Sequence, residues 1–322
     1  MEVHGVADRR VVSMFSSQFS LAFQPLTLAD VPQLAKFLRA SKERSCEFAI
    51  ANLYLWSFSY HIRWQVFNNR LYLHTENREE PEDALMVVVP ETVPDPQAKE
   101  LLLFSEEMQK QGHTGRWQQL RGDFVQNCPE LSKWYEIKLM DEEVAEYVYR
   151  LDNLATLSGE KYSKKRNLIK QFMRNFPSAV SRPLVDEDLP AVLAMSEEWL
   201  DSHPERDSRH LQEELSALKH LQDAPLEYFG MVGQGIFLDG KLIAYEFCSP
   251  VAGRMWTEHF EKALKNYNGA AQVLNQSTAQ ALQGRCEWLN REQDLGSPGL
   301  RQAKQSYHPE YLLRNYDLFP RR

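Results

Sequence analysis

Cysteine is scarce, at four in 322 residues (Cys46, Cys128, Cys248 and Cys286). None forms a CxxC pair or stands at ligand spacing from a histidine. That speaks against a disulfide scaffold or a structural zinc site and for free thiols in a reducing compartment. A basic excess is also missing: 37 Lys and Arg face 45 Asp and Glu, for a formal net charge of -8. A protein that coats nucleic acid usually has the opposite sign, so any anionic partner is expected in a local basic pocket. No run approaches the ~20 apolar residues of a membrane span. The first residues, "MEVHGVADRRVVSMFSSQFSLAF", mix acids and bases without the apolar core of a signal peptide. A cytoplasmic protein is expected. GxSxG, Walker and GxGxxG patterns do not occur, which removes the common hydrolase, NTPase and dinucleotide readings. The two histidines of "DSHPERDSRH" lack HxxxH or HxH spacing, and no metal is expected.

What is present suits substantial cores: 43% of residues are hydrophobic and 11% aromatic. The length suggests two domains at roughly 150 residues each. Residues 1–18 read as a loose tail. A helix follows in "TLADVPQLAKFLRAS", then a hairpin from Ile62 turning at Asn68-Asn69, and a covered strand "ALMVVVP". After a helix through Leu101, Phe104 and Met108 come strands "YEIKLM" and "EYVYRL". A second cycle starts near Leu151. Its helix "KYSKKRNLIKQFMRNFP" carries an apolar stripe of Leu168, Ile169, Phe172, Met173 and Phe176, stopped by Pro177. Two more helices precede three strands, the first two joined by Asp239-Gly240. A helix from Gly269, a strand "CEWLNRE", a helix "SPGLRQAKQSY" and a final strand "EYLLRNYDLF" complete it. The shared order of the cycles predicts a mixed α/β (α+β) protein. It would hold two tandem N-acetyltransferase-like domains, over 19–150 and 151–322, each a mostly antiparallel mixed sheet flanked by helices.

Three segments offer chemistry. Lys161, Lys164, Lys165, Arg166, Lys170 and Arg174 cluster on one helix, with Asn167 beside its apolar stripe. Such a cluster suits a phosphate-bearing ligand, and a solvated basic face is its ordinary alternative. In "KNYNGAAQVLNQ", Gly269, Ala270 and Ala271 fit a short pyrophosphate-binding loop ahead of a helix, as a coenzyme A site would need; a helix entered through glycine explains it equally. In "NREQDLGSPGLRQAKQSYHP", Ser297 is an N-cap and Pro298 suits the first turn. Gly296 and Gly299 flank a helix start with unpaired N–H donors. Arg301 and Lys304 share the helix face, while Glu292 and Asp294 alternate before the turn after Asn290. These charges would either grip a substrate or salt-bridge one another. Weaker candidates are Glu258, His259 and Glu261 in "TEHFEKA", with His259 read as a general base or a buried, bonded histidine. In "SCEFAIANLYLWSFSY", Glu47 is the only charge, and Asn52 and Trp56 share a helix face as a pocket wall.

On "LATLSGEKYSKKRNLIKQF" and "LNREQDLGSPGLRQAKQSYHP", supported by "MWTEHFEKALKNYNGAAQVLNQ" and "NLYLWS", the chain resembles a bacterial family. That family is the domain related to the C-terminal catalytic part of phosphatidylglycerol lysyltransferase, akin to the Fem peptidoglycan aminoacyltransferases. The resemblance implies a tandem acetyltransferase-like fold and transfer of an aminoacyl group from charged tRNA to an amine or hydroxyl acceptor, without a cofactor. It also implies that the basic helix, with Asn290, Gly296 and Gly299, binds substrate, and that Glu292, Asp294, Arg301 and Lys304 do the chemistry. The acceptor could be a small molecule, lipid or peptide. The lysyltransferase carries a long membrane-embedded part that this sequence does not show, and the acidic balance disfavours anionic lipid. A coenzyme A-dependent acyltransferase using Gly269 and a non-catalytic ligand-binding relative are the competing expectations.

Overall fold

A computed structural model describes residues 21–77 and 83–321. The expected tail at 1–18 lies outside them. The chain folds as two compact units. One takes the chain up to Leu26, Tyr60–Met140 and the residues from Arg314; the other takes Thr27–Ser59 and Asp141–Leu313. A cut at residue 150 does not follow these units, because the chain crosses between them at four places and not one.

The first unit is built on a seven-stranded mixed sheet in the order β1-β2-β3-β4-β5-β14-β6. Its strands are β1 (Gln24–Pro25), β2 (Arg63–Phe67), β3 (Arg70–Glu76), β4 (Asp83–Val88), β5 (Trp117–Leu120), β6 (Tyr135–Leu139) and β14 (Tyr316–Pro320). Asn68 and Asn69 both take positive φ, as a two-residue β2–β3 turn requires. The helix Ala98–Lys110 covers the sheet, burying Leu101, Phe104 and Met108 against Tyr72, Trp117, Tyr135 and Leu318.

The second unit has its own seven-stranded sheet, ordered β13-β7-β12-β11-β10-β9-β8. The strands are β7 (Glu146–Arg150), β8 (Val180–Leu184), β9 (Val232–Leu238), β10 (Lys241–Pro250), β11 (Met255–Ala263), β12 (Trp288–Asn290) and β13 (Tyr311–Leu313). The β11–β12 ladder is parallel and its neighbours are antiparallel, giving the mixed sheets expected. The final strand read as "EYLLRNYDLF" is two strands: β13 pairs with β7, whereas β14 pairs with β5 and β6 of the other sheet.

The helix Ser163–Asn175 packs against the helix Ala270–Ala281. Gly269 begins the latter with φ +97, and an added Cβ would lie 2.6 Å from the Leu168 carbonyl oxygen and 2.9 Å from Phe172 Cβ. The glycine therefore lets the two helices meet. Met173, expected on the buried stripe, is instead 48% exposed. Among the described residues no helix is long and apolar enough to cross a membrane.

Candidate functional site

The chemistry of the second unit gathers where the parallel β11–β12 ladder ends. That ladder runs from Met255–Trp288 to Thr257–Asn290, and beyond it β11 continues while the β12 chain leaves as Arg291 and Glu292. Glu258 and Glu261 are three apart and would face opposite sides of a regular strand. They do not, because Phe260 pairs with Phe247 and Glu258 with Cys248, leaving His259 as an extra, bulged residue. The bulge turns both carboxylates to the side where Glu246 stands opposite Glu261.

Arg291 holds this cluster together. Its Nε donates to Glu258 at 2.6 Å and its Nη2 to Glu261 at 2.6 Å, with Tyr307 under the guanidinium at 5.0 Å. Glu261 also accepts from Asn275 at 2.6 Å. Burial pushes Glu258 up to about 7 against the pull of Arg291. Glu246, 1% exposed, is raised well above the usual carboxylate range by burial and by the Glu258 and Glu261 charges. Several buried polar atoms here have no hydrogen-bond partner: Glu246 Oε2, Asn275 Oδ1, Thr278 Oγ1, Arg291 Nη1 and Tyr307 Oη. Native interiors rarely leave such atoms unpaired.

Next to it runs a second polar chain. Asn52 Nδ2 donates to the Cys46 carbonyl at 3.0 Å and to Glu292 Oε1 at 3.1 Å, which fixes its amide orientation. Its Oδ1 then accepts from His259 Nδ1 at 2.8 Å, and His259 Nε2 meets Ser249 Oγ at 2.7 Å. The His259 side chain is fully buried and lies 3.6 Å from Glu292. Glu292 has φ +56, a conformation rare for a residue with a Cβ. Asn290 maintains it: Asn290 Oδ1 accepts from the Glu292 N–H at 2.9 Å while its amide bonds buried Glu146. Asn290 thus shapes the site instead of offering its amide to a ligand.

Glu146 also accepts from Ser45 Oγ at 2.5 Å and Cys46 N–H at 2.9 Å, yet burial still raises it. Beside it, Glu47 is pushed from 4.5 up to about 8 by burial and then by the Glu146 and Glu292 charges, against a bond from Gln293. A carboxyl raised on folding binds its proton more tightly in the folded than in the unfolded chain. Stability therefore falls as pH climbs from the ordinary carboxylate range through about 8. Glu47→Gln is expected to flatten the dependence of Tm on pH between about pH 5 and about pH 9 and to raise Tm at the alkaline end. Thermal melts across that range would show parallel curves for the two proteins if Glu47 did not carry the effect.

The glycine turn after Glu292 serves mainly itself. Asp294, fully buried, accepts from Tyr147 Oη at 2.7 Å, Gly296 N–H at 2.9 Å, and Arg301 Nε and Nη2 at 2.8 and 3.0 Å. Burial pushes its carboxyl up, but these donors outweigh it and hold it below the usual range. The expected base Asp294 and oxyanion donor Arg301 therefore neutralise one another, clamping turn to helix. Lys304 donates to the Gln293 carbonyl and is lowered by burial. Gly296 is required by φ +75 and by Glu143, 3.1 Å from where its Cβ would be. Gly299 is exposed, with no neighbour nearer than Ser297 Oγ at 4.0 Å.

On the basic helix, Lys164, Asn167 and Lys170 are exposed, as is Lys161, which precedes it. Arg166 is spent on the carbonyls of Leu157 and Gly159. Lys165 alone of the set turns to the cluster: its Nζ bonds Ser306 Oγ at 2.6 Å and lies 3.9 Å over Tyr307. Burial and the Arg291 charge push it down to about 8. Ala270 is buried and Ala271 half-buried at the start of their helix. Sequence reasoning passed over Arg291, Glu246 and Glu146 as site residues. The signal was available, since a lone glutamate inside the apolar runs "EYVYRL" and "KLIAYEFCSP" needs a partner once buried.

A family profile described as phosphatidylglycerol lysyltransferase, C-terminal, matches residues 38–319. A solved protein from Bacteroides thetaiotaomicron VPI-5482 is 27% identical, covering 94% of this chain and 100% of that one at a TM-score of 0.86. L-PGS from Bacillus licheniformis is 15% identical, with 94% of each chain covered and a TM-score of 0.62. FemX is 8% identical, covering 94% of this chain and 98% of its own at 0.58. At those identities the last two show likeness of fold, and the two mixed sheets flanked by helices are the mixed α/β architecture expected from sequence. An uncharacterised Mycoplasmoides gallisepticum protein is 25% identical over 193 residues; the match spans 56% of this chain and 58% of that protein's length. The chain belongs to the phosphatidylglycerol lysyltransferase C-terminal domain family.

Proposed function

We propose that this protein transfers an aminoacyl group from a charged tRNA to an amine or hydroxyl acceptor. The observation that carries the reading is the surplus of buried carboxylates around Arg291, with unpartnered oxygens on Glu246 and Asn275. Acceptor-rich, water-poor surroundings of this kind suit an ammonium group, which is what the donor end of an aminoacyl ester carries. Lys165 beside Arg291 supplies the positive charge that a terminal phosphate needs.

The ester is already activated, so the protein has to orient it and move one proton. The acceptor N–H or O–H attacks the ester carbonyl carbon, a new C–N or C–O bond forms, and the bond to the ribose oxygen breaks. Glu292, held by Asn52 and backed by His259, takes the acceptor's proton and returns it to the leaving ribose hydroxyl. Coenzyme A has no part in this scheme. Gly269, on which a coenzyme A loop would depend, has its own reason in the approach of Leu168 and Phe172.

The test is discharge of a mixed pool of radiolabelled aminoacyl-tRNAs in the presence of a lipid, peptide and small-amine fraction. The expected result is acceptor-dependent transfer of label, reduced at least about 10-fold by Lys165→Ala, a loss of one charge-assisted contact. Undischarged tRNA and unlabelled acceptors at every fraction would overturn the reading.

A further inference from the structure

The first unit holds a side-chain cluster with no place in that chemistry. His74 on β3 opposes Leu85 on β4, so Asp83, two residues earlier on β4, is its diagonal neighbour on the same face. His113 reaches the same point from the turn after the helix Ala98–Lys110. His74 Nε2 lies 3.4 Å and His113 Nδ1 3.6 Å from one oxygen, Asp83 Oδ2, and the three donor atoms all lie within 4.8 Å of one another. His74 is 1% exposed, yet its Nε2 has no hydrogen-bond partner. A buried ring nitrogen that meets its carboxylate only at ion-pair distance, with a second imidazole on the same oxygen, leaves room for a cation among the three.

We propose that His74, Asp83 and His113 bind one divalent transition-metal cation, zinc by ligand class. Donors about 2.0–2.2 Å from a tetrahedral zinc stand about 3.4 Å apart, close to the two distances to Asp83 Oδ2. The carboxylate is already oriented from behind: the Thr114 N–H donates to Asp83 Oδ1 at 2.9 Å and Thr114 Oγ1 to the Asp83 carbonyl at 2.9 Å. Such outer bonds typically fix a metal-binding carboxylate. His113, with 24% of its side chain exposed, can close the remaining separation by rotating toward His74. Two imidazoles and one carboxylate leave a fourth position for water, and this donor set favours zinc over magnesium or calcium. Binding would tie β3, β4 and the turn before β5 together.

The experiment strips the full-length protein with chelator and titrates it with zinc by calorimetry and with cobalt(II) by visible absorption. One equivalent of each is expected, with the d–d bands of a tetrahedral cobalt site and a higher Tm with zinc. His113→Ala lies on a partly exposed turn and should fold, as far-UV circular dichroism would verify. It is expected to bind at least about 100-fold more weakly and to lose the zinc-dependent rise in Tm. Asp83→Asn should behave likewise. No saturable binding by the folded wild-type protein overturns the proposal, as does equal binding by His113→Ala, which would place the metal away from this cluster.

Discussion

Replacing Arg291 with methionine is expected to cost about 3–5 kcal/mol of stability at neutral pH, the cost of leaving buried charges without their partner. Arg291 and Glu258 have only 6% and 8% of their side chains exposed, so water cannot substitute for the missing guanidinium. The deficit should depend on pH in a definite direction. Without the cation, burial raises Glu258 further and pushes up Glu261, which Arg291 now helps hold below its ordinary value, so the folded variant binds protons that the unfolded chain has released. Stability of the variant then falls as pH rises through the carboxylate range, and its gap from wild type widens. Urea denaturation at about pH 5 and about pH 8 would measure both the loss and its widening. Adding Glu258→Gln and Glu261→Gln to Arg291→Met should recover part of it, because neutral amides need no counter-charge. A loss under about 1 kcal/mol, constant with pH, would mean that Arg291 is not what makes the glutamates tolerable.

What the sequence revealed and what it hid divide along physical lines. The Asn68-Asn69 and Asp239-Gly240 turns were legible because such pairs accept positive φ, and both do. Ser297 was legible as an N-cap, and its hydroxyl does accept from the Leu300 N–H. The basic helix was half legible. Periodicity located it, but only its packing partners decide that Lys165 turns inward while Lys164 stays in water. The Glu258–Glu261 alignment was hidden, because a regular strand forbids it and no local signal marked the bulge at His259. Unit boundaries were hidden for a similar reason. Residues 27–59 join partners more than a hundred positions later, as the Asn52–His259 and Ser45–Glu146 bonds show, and no local composition encodes such a return.

Glu292 is where structure and chemistry part company. Glu292→Gln is expected to lower the rate of aminoacyl transfer by about 10²–10⁴-fold, the usual contribution of a positioned acid or base. Stability should hardly change, since glutamine keeps an oxygen for the Asn52 amide now 3.1 Å away. Glu292→Gly sharpens the contrast. The φ of +56 is strained for glutamate and unstrained for glycine, so this variant should fold within about 1 kcal/mol of wild type or better. It should nevertheless transfer no faster than the glutamine variant. A residue kept for packing would show the reverse: activity tracking Tm, with glycine the worse of the two. Single-turnover transfer rates and urea melts on the same preparations decide the matter. Full activity in Glu292→Gln would remove Glu292 as the proton acceptor and leave Glu47, already raised to about 8 and bonded through Gln293 to the same strand end, as the carboxyl to test next.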